Sequence, residues 1–329
     1  MCGRTVCMLA PEDVCRACTH RNKQGKKTKP QWRDAPGGQQ YNTSYNMSPG
    51  SHTPVLISSQ HFDSVYEGEK CESERLIQPM HWGLIPPWSS DPKSAGYSMS
   101  NCRSESMLEK RSFKIPLQKG QRCVVLANGY FEWQTDKISG KKQPFYIYTL
   151  RTGDQNKEKN NKDIDTTKKA KEDSMEGEKL LCMAGVFEKW TPKGGGEPLF
   201  SYSVITVESS PSMQKIHHRM PAILATDEEV QDWLDTGDVP LSKAVKLCRA
   251  TETLQFHPVS SMVNNSRNND PECIKPFDLK KQQAKDNASK NFMMGWLNKK
   301  KKATDGEIES NQPDSKKRKI EQTDINENT

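Results

Sequence analysis

Cys2, the second residue of the chain, has a chemistry that no internal cysteine shares. Initiator methionine is usually removed before a small residue, and removal of Met1 would leave Cys2 with a free α-amine beside its thiol. Reference pKa values of about 7.7–8.0 for the amine and about 8.5 for the thiol leave both groups partly nucleophilic at neutral pH. Such a pair captures an aldehyde twice, first as a Schiff base and then as a thiazolidine. Alternatively, the Met-Cys start is a coincidence without a chemical role.

Two motifs supply candidate acid–base groups. Glu132 lies among the aromatic residues of 128–133 (Asn-Gly-Tyr-Phe-Glu-Trp), and loss of hydration there should raise the pKa of its carboxyl group. That makes it a candidate general acid or base, although a surface glutamate on an alternating strand is the commoner case. His217 belongs to the only His-His pair, and histidine titrates near neutral pH. We expect at most one of the two imidazoles to face a site.

Other residues are candidates for binding an anion or a nucleic acid. Asn101 and Arg103 open a predicted helix over 104–112, and a helix N-terminus flanked by such side chains is a ready anion site. Ordinary helix capping is the alternative. Trp82 and Trp88 lie in loop-like surroundings, and aromatic residues amid basic ones suit stacking on single-stranded nucleic acid, although core tryptophans are commoner.

The composition indicates a soluble intracellular protein with disordered segments. The 329 residues are 33% hydrophobic and 28% charged, with mean hydropathy −0.90, which is too polar for one compact globule. The net charge of +7 favours a polyanionic partner without proving one. No stretch approaches the about 18–20 apolar residues of a membrane span. We expect the ten scattered cysteines to be reduced, Cys15-x-x-Cys18 to bind no metal, and no cofactor to be needed.

The candidate site residues must be positioned by strands and helices that the sequence also predicts. Their irregular order indicates one α+β domain over residues 2–280, with an antiparallel-rich sheet curled into a barrel-like core and peripheral helices. The predicted strands are 54–57, 122–127, 144–148, 180–187 and 200–207, and further helices are predicted at 226–234 and 242–249. The polar and charged composition of three segments predicts that they are poorly ordered. These are a basic loop at 20–40, an insertion at 151–178 and a disordered basic tail at 281–329.

Seven motifs, taken in sequence order, resemble the SOS response-associated peptidase (SRAP) family. The resemblance covers about residues 2–280. It rests on the segments Met1–Arg4, Tyr45–Pro49, Trp82–Pro86, Asn101–Glu105, Asn128–Trp133, Ile216–Pro221 and His257–Ser260. Their number and order make the resemblance specific, and it implies a single SRAP domain followed by the tail.

The resemblance implies a sensor of abasic sites in single-stranded DNA that forms a covalent DNA–protein crosslink and shields the lesion at replication forks. Cys2 would be the nucleophile, its amine attacking C1′ of the opened sugar and its thiol closing a thiazolidine. Glu132 would transfer protons, and His217 would protonate the sugar oxygen or contact a phosphate. The DNA-binding residues expected with this function are Asn101, Arg103, Arg4, Asn46, Trp82, Trp133 and Arg219.

The tail adds expectations about location and partners. Residues 315–319 (Ser-Lys-Lys-Arg-Lys) predict a nuclear localisation signal and hence a nuclear protein. The family resemblance further implies a location at chromatin and replication forks. The apolar segment 291–297 resembles a degenerate PCNA-interacting motif, with a fraying helix docked on the domain as the alternative. We also expect a monomer without a metal, self-reversal of the crosslink, and its removal by the ubiquitin–proteasome machinery.

Two other functions are compatible with the sequence. A peptidase would use Cys2 as an N-terminal nucleophile in a Cys-His-Glu set and could cleave its own leader. A non-enzymatic reader of modified cytosine would need a base pocket and would not need Cys2. Peptide hydrolysis compared with DNA crosslinking in a Cys2 variant separates these functions.

Overall fold

A computed structural model describes residues 2–61, 73–92, 97–149, 179–281, 291–294 and 296. The chain divides into two compact units, Met1–Phe277 and Asp278–Thr329. The predicted insertion at 151–178, the predicted localisation signal at 315–319 and most of the predicted disordered tail lie outside the described residues. In the second unit, residues 291–294 are helical.

The regular structure of the first unit includes fifteen strands and four α-helices that lie wholly within the described residues. The strands are β1 (Thr5–Cys7), β2 (His20–Arg21), β3 (Lys27–Thr28), β4 (Gln31–Trp32), β5 (Ser44–Met47), β6 (His52–Ser58), β7 (Arg75–Trp82), β8 (Asn101–Arg103), β9 (Arg122–Ala127), β10 (Gly129–Thr135), β11 (Lys142–Tyr148), β12 (Leu181–Trp190), β13 (Leu199–Glu208), β14 (Arg219–Pro221) and β15 (Gln255–Pro258). The helices are α1 (Pro11–Ala17), α2 (Arg111–Gln118), α3 (Asp227–Leu234) and α4 (Leu241–Ala244).

Five strands of the larger sheet close into a ring. The sheet has the order β14-β13-β12-β9-β6-β7-β4, and β13 also pairs in parallel with β7, where Ser201 lies opposite His81 and Tyr202 opposite Trp82. The other pairings within the ring are antiparallel. The predicted α+β domain with a curled, barrel-like and antiparallel-rich core is therefore confirmed.

A second sheet carries the start of the chain. Its order is β15-β11-β10-β1-β5, so β1 lies between β10 and β5 and is antiparallel to both. Gly129 begins β10 at a point where a Cβ atom would lie 2.5 Å from the ring of Tyr146 and 2.6 Å from the carbonyl oxygen of Ile147. Only glycine allows this close approach of β10 and β11.

β10 separates two buried hydrophobic clusters. Tyr130 packs in the main cluster together with Cys2, whereas Phe131 packs in a smaller cluster with Val6. Because successive residues of a strand face opposite sides of a sheet, Tyr130 and Glu132 share the side that faces the main cluster. This strand therefore directs Glu132 to the same side as Cys2.

The predicted strands are confirmed as parts of β6, β9, β11, β12 and β13. The helix predicted over 226–234 is confirmed as α3, where the hydroxyl of the N-cap residue Thr226 accepts from the N–H of Glu229 at 3.2 Å. The helix predicted over 242–249 consists of the short α4 followed by a 3₁₀ turn at Val245–Leu247.

One local prediction was wrong, and a second segment contains strands that the sequence did not predict. The stretch 104–112 holds a 3₁₀ turn at Ser104–Ser106, and α2 begins only at Arg111, while Asn101 and Arg103 lie in β8, paired in parallel with β13. The segment 20–40 contains the hairpin β2–β3, and β4 pairs in parallel with β7. In both places, backbone pairing with distant strands overrides the local sequence signal.

The buried side chain of Asn46 holds a distant loop against the second sheet. Its Oδ1 accepts a 2.8 Å hydrogen bond from the guanidinium of Arg4. Its Nδ2 lies 3.1, 3.0 and 3.0 Å from the carbonyl oxygens of Val263, Asn265 and Asn268. One amide thus satisfies carbonyl groups that have no strand partner, as buried polar groups require.

Replacement of Asn46 should destabilise the fold, by aspartate more than by alanine. Asn46→Ala removes the amide and should cost about 2–4 kcal/mol, since it removes the hydrogen bond from Arg4 and those to the carbonyl groups of the loop. Asn46→Asp keeps the shape and the contact with Arg4 but sets a carboxylate against the three carbonyl oxygens. Chemical denaturation of both variants measures the order of stability, and an aspartate variant as stable as the parent would contradict this account of the loop.

Candidate active site around Cys2

Backbone pairing fixes the first residues of the chain against β10. The N–H of Phe131 donates to the carbonyl oxygen of Arg4 at 2.9 Å, and the N–H of Asn128 donates to that of Val6 at 2.7 Å. A chain start is ordinarily solvated and mobile unless a sheet or a docked element holds it. Here the pairing brings Cys2 into the core, where its residue surface is 0% exposed.

Asn101 holds the backbone of Cys2. Its Nδ2 donates to the carbonyl oxygen of Cys2 at 2.8 Å, and its own position is fixed by the pairing of β8 with β13 opposite Val204. Burial raises the pKa of the Cys2 thiol, and the carboxylate of Glu132 adds to the effect. The thiol therefore keeps its proton at neutral pH and needs a base before it can attack an electrophile.

Glu132 is the carboxyl group on the core-facing side of β10. The residue is 3% exposed, and burial raises the pKa of its carboxyl group. This confirms the pKa direction that its aromatic surroundings predict. A carboxyl group whose pKa is moved toward neutrality can both accept and donate a proton near neutral pH.

His217 lies next to this carboxyl group. Its Nδ1 is 3.9 Å from Oε1 of Glu132. The same nitrogen is 3.1 Å from both the backbone nitrogen and the carbonyl oxygen of Arg219, so its hydrogen bond depends on the tautomer. Burial lowers the pKa of the imidazole, which favours the neutral ring at neutral pH.

His218 lies beside His217, contrary to the expectation that only one imidazole would face the site. The two ring centroids are 4.4 Å apart. The pair lies in the connection between a 3₁₀ helix at Met213–Lys215 and β14, where strand alternation does not apply. His218 is exposed and lines a cleft of about 470 Å³ together with Arg103 and Arg219.

Two clefts meet at Arg103. The second has a volume of about 490 Å³ and is lined by Gly3, Asn101 and Lys110 as well as by Arg103. Arg103 is exposed, so a chain-like ligand that passes over it would touch both clefts and run past the residue next to Cys2. The cationic side chains here suit a phosphate backbone.

The burial of Trp82 and Asn46 argues against the DNA contacts predicted for these two residues. Trp82 is fully buried, lies parallel to the ring of Tyr202 with centroids 6.4 Å apart, and donates its Nε1–H to the carbonyl oxygen of Ser100. Asn46 is 3% exposed, and its amide binds the loop described above. Both side chains support the walls of the site and offer no surface to a ligand.

Arg219 is buried, and its charge is already paired. Its two terminal nitrogens lie 2.6 and 2.9 Å from the carboxylate oxygens of Glu105, and one of them also donates to the carbonyl oxygen of Thr206 at 2.6 Å. Its backbone contacts Nδ1 of His217. We therefore assign Arg219 a positioning role at the edge of the cleft, in place of the predicted DNA contact.

Arg4 and Trp133 are tied to the loop that Asn46 holds. The guanidinium of Arg4 also donates to the carbonyl oxygen of Val263 at 2.9 Å, and Nε1 of Trp133 donates to Oδ1 of Asn264 at 2.7 Å. The ring of Trp133 is partly exposed, so it remains a predicted DNA contact. Arg4 has a bracing role by these bonds.

Tyr130 and Lys110 are residues of the site that sequence reasoning missed. Cys2 and Glu132 both contribute to the raised pKa of the Tyr130 hydroxyl, so Tyr130 lies near them. The sequence could have indicated this, because residues two apart on a strand face the same side of the sheet, and Tyr130 is two residues before Glu132. Lys110 carried no such signal, because it reaches the cleft only through the position of α2.

Within the described ranges, no group of three or more His, Cys, Asp or Glu side chains is placed to hold a metal ion. Cys15 lies in α1, and Cys18 is its C-cap residue. No helix in the part of the chain that the structure describes is long and apolar enough to cross a membrane.

Known proteins are similar in sequence to this chain along most of its length. The family model described as SOS response associated peptidase (SRAP) matches residues 1–266. A Xenopus tropicalis protein named abasic site processing protein HMCES is 47% identical over 300 residues, which cover 90% of this chain and 85% of that protein. A Bacillus subtilis (strain 168) protein named abasic site processing protein YoqW is 31% identical over 239 residues, which cover 71% of this chain and 87% of that protein.

A solved structure agrees with these sequence matches. The crystal structure of a Bacteroides thetaiotaomicron protein is similar to this fold with a TM-score of 0.53 at 26% identity, covering 71% of this chain and 86% of that one. The matched residues 1–266 include Cys2, Asn101, Glu132 and His217. The chain belongs to the SOS response associated peptidase (SRAP) family.

Proposed function

We propose that this protein processes abasic sites in DNA and does so by forming a covalent crosslink through Cys2 to abasic sites in single-stranded DNA. Relatives with 47% and 31% identity carry the name abasic site processing protein. The observation that carries the proposal is a buried Cys2, held through its carbonyl by Asn101, on the same side of β10 as Glu132. His217 adds a second proton-carrying group, 3.9 Å from the carboxylate.

The first step is imine formation. After removal of Met1, the α-amine of Cys2 attacks C1′ of the ring-opened sugar, and the carbinolamine then loses water. Glu132 takes a proton from the amine and returns one to the departing hydroxyl group. Because burial raises the pKa of Glu132, a larger fraction is protonated near neutral pH than for an ordinary glutamate.

The second step closes the ring. The sulfur of Cys2 forms a bond to C1′ of the protonated imine, the π pair of the C=N bond moves to the positively charged nitrogen and leaves it as a neutral amine, and the thiol proton passes to the carboxylate of Glu132. Burial raises the pKa of this thiol, so a base beside it is necessary. The product is a thiazolidine, and the same steps in the opposite direction release the DNA.

Ring closure decides the fate of the DNA strand. An imine acidifies the C2′ proton, and β-elimination would then cut the strand. The thiazolidine has no C=N bond and removes this route. We propose that the crosslink shields the lesion at replication forks for this reason.

The DNA strand would cross Arg103 and occupy the two clefts on either side of it. Arg103, Lys110 and His218 line these clefts and suit phosphate groups. Trp133 is partly exposed and offers a ring on which a base could stack. Binding of this kind depends mainly on charge and should weaken with salt.

The wider setting is proposed from the sequence. Residues 315–319 support a nuclear location, and the segment 291–297 supports binding to PCNA. Phe292, Met293, Met294 and Trp296 are exposed large apolar side chains, as a partner-binding segment requires. We further propose a monomer whose crosslink is removed by self-reversal or by the ubiquitin–proteasome machinery.

Self-cleavage of the Met1–Cys2 bond is a second candidate reaction of the same residues. A buried Cys2 thiol beside Glu132 and His217 is the set that this peptidase reaction needs. Mass spectrometry of purified Glu132→Gln protein tests it. Retained Met1 supports self-cleavage, and complete loss of Met1 assigns the cleavage to an aminopeptidase.

Cys2→Ser should form no heat-stable crosslink, because it keeps the α-amine and loses the thiol that closes the ring. An imine should still form, be trapped by borohydride, and cut the strand by elimination. Intact mass spectrometry after heating with abasic single-stranded DNA measures the adduct. Cys182→Ser, a β12 cysteine outside the site, is the matched control and should crosslink normally; heat-stable crosslinks by Cys2→Ser would contradict the proposal.

One residue inserted between Met1 and Cys2 should abolish crosslinking, because the nitrogen of Cys2 is then an amide. The thiol is retained in this variant, so the experiment separates the amine from the sulfur. The same mass measurement applies, and thermal unfolding shows that the variant is folded. Full crosslinking by the extended chain would rule out the α-amine as the nucleophile.

Glu132→Gln should slow crosslinking about 10²–10⁴-fold and stabilise the fold near neutral pH. Burial raises the folded-state pKa of Glu132 above its unfolded value of about 4.3, so the ionised carboxylate destabilises the folded state above that pH. The gain from glutamine should be absent in acid, increase as the pH rises between the two pKa values, and then stay constant. Thermal unfolding across pH measures it, and a gain that does not change with pH would be the contrary result.

A further inference from the structure

The hydroxyl of Tyr130 has no part in the steps described above. Tyr130 lies in β10, its residue surface is 0% exposed, and its hydroxyl has no hydrogen-bond partner among the described residues. A buried hydroxyl without a partner destabilises the folded state, and native proteins keep few of them. The cost of such a hydroxyl is explained if it donates a hydrogen bond to an acceptor that becomes charged only during the reaction.

The surroundings of this hydroxyl are the reacting groups. Tyr130 shares the core-facing side of β10 with Glu132, and it belongs to the same buried cluster as Cys2, whereas Phe131 packs on the other side. Burial raises the pKa of the Tyr130 hydroxyl, and Cys2 and Glu132 add to the shift. The hydroxyl therefore keeps its proton throughout the neutral range and is available as a donor.

Tyr202 shows what a structural hydroxyl does in the same core. Its residue surface is also 0% exposed, but its hydroxyl oxygen lies 2.6 Å from Oγ1 of Thr53. The two tyrosines thus share burial and differ in hydrogen bonding. Cys2 contributes to the raised pKa of both hydroxyls, so the two tyrosines differ in hydrogen bonding and not in their proximity to Cys2.

We propose that Tyr130 donates a hydrogen bond to the sulfur of Cys2 while that sulfur bonds to C1′, and again when it leaves C1′ during reversal. The inference rests on the crosslinking function proposed above. In the closing step the S–C1′ bond forms on the protonated imine, the thiol proton passes to the Glu132 carboxylate, and the C=N π pair moves to nitrogen, which becomes a neutral amine. Tyr130 transfers no proton and stabilises the negative charge that develops on sulfur.

A hydrogen-bond donor beside Cys2 would stabilise negative charge on the sulfur, which the site otherwise disfavours. Burial and the nearby Glu132 carboxylate both oppose charge on the Cys2 sulfur. Cys2 is buried, so few water molecules reach its sulfur, and the protein is the better source of a stabilising hydrogen bond. Hydrogen bonds to a charged acceptor are also stronger than those between neutral groups.

Tyr130→Phe tests the inference, because it removes the hydroxyl and keeps the ring. Thiazolidine formation by the full-length protein on abasic single-stranded DNA should slow about tenfold or more, and reversal should slow by the same factor, since a transition-state interaction acts in both directions. Imine formation, trapped by borohydride at early times, should keep its rate. Alkylation of Cys2 by iodoacetamide, followed on the N-terminal peptide, should need a higher pH.

Thermal unfolding of Tyr130→Phe, and a control variant at the second buried tyrosine, Tyr202, separate a role in ring closure from a role in stability. Tyr130→Phe should unfold at the parental temperature or above it, whereas Tyr202→Phe should unfold earlier and crosslink at the parental rate. A parental rate of ring closure in Tyr130→Phe, or an equal loss of the imine step, overturns the inference while the parent still crosslinks. Failure of the parent protein itself to crosslink would instead overturn the proposed function.

Discussion

The antiparallel pairing of β1 between β10 and β5 is the constraint on which the site depends. It takes the start of the chain out of water and buries Cys2 on the side of β10 that carries Tyr130 and Glu132. The ring of β13, β12, β9, β6 and β7 supports this arrangement, because β8 pairs with β13 and thereby brings Asn101 to the carbonyl of Cys2. Cys2 is thus held in place as firmly as a residue within the chain, although it lies at the chain start.

Burial has one consistent electrostatic effect across the site. It raises the pKa values of the Cys2 thiol and the Glu132 carboxyl, and it lowers the pKa of the His217 imidazole. All three groups are therefore biased toward their neutral forms, as desolvation requires. Such a set suits a reaction in which protons move between neighbours while the electrophile supplies the charge. The same desolvation makes the site costly in stability, which is common where function needs buried titratable groups.

The sequence predicts the chemistry of this protein better than its local structure. The order of seven motifs is enough to identify the family, and the aromatic neighbours of Glu132 are enough to predict the direction of its pKa. The burial of Trp82 and the loop contacts of Asn46 depend on residues far away in the chain, so their types alone suggested ligand contacts. Asn101 and Arg103 were expected at a helix start, but pairing with β13 makes that segment a strand. Long-range pairing is the information that local patterns do not contain.

The central claim is that Cys2 uses its amine and its thiol on the same sugar carbon. NMR spectroscopy of the protein crosslinked to an abasic oligonucleotide labelled with ¹³C at C1′ tests it directly. We expect a saturated carbon bonded to one nitrogen and one sulfur, with a correlation from its proton to the β-carbon of Cys2. An unsaturated C=N carbon, or a saturated carbon bonded to sulfur alone, would contradict it.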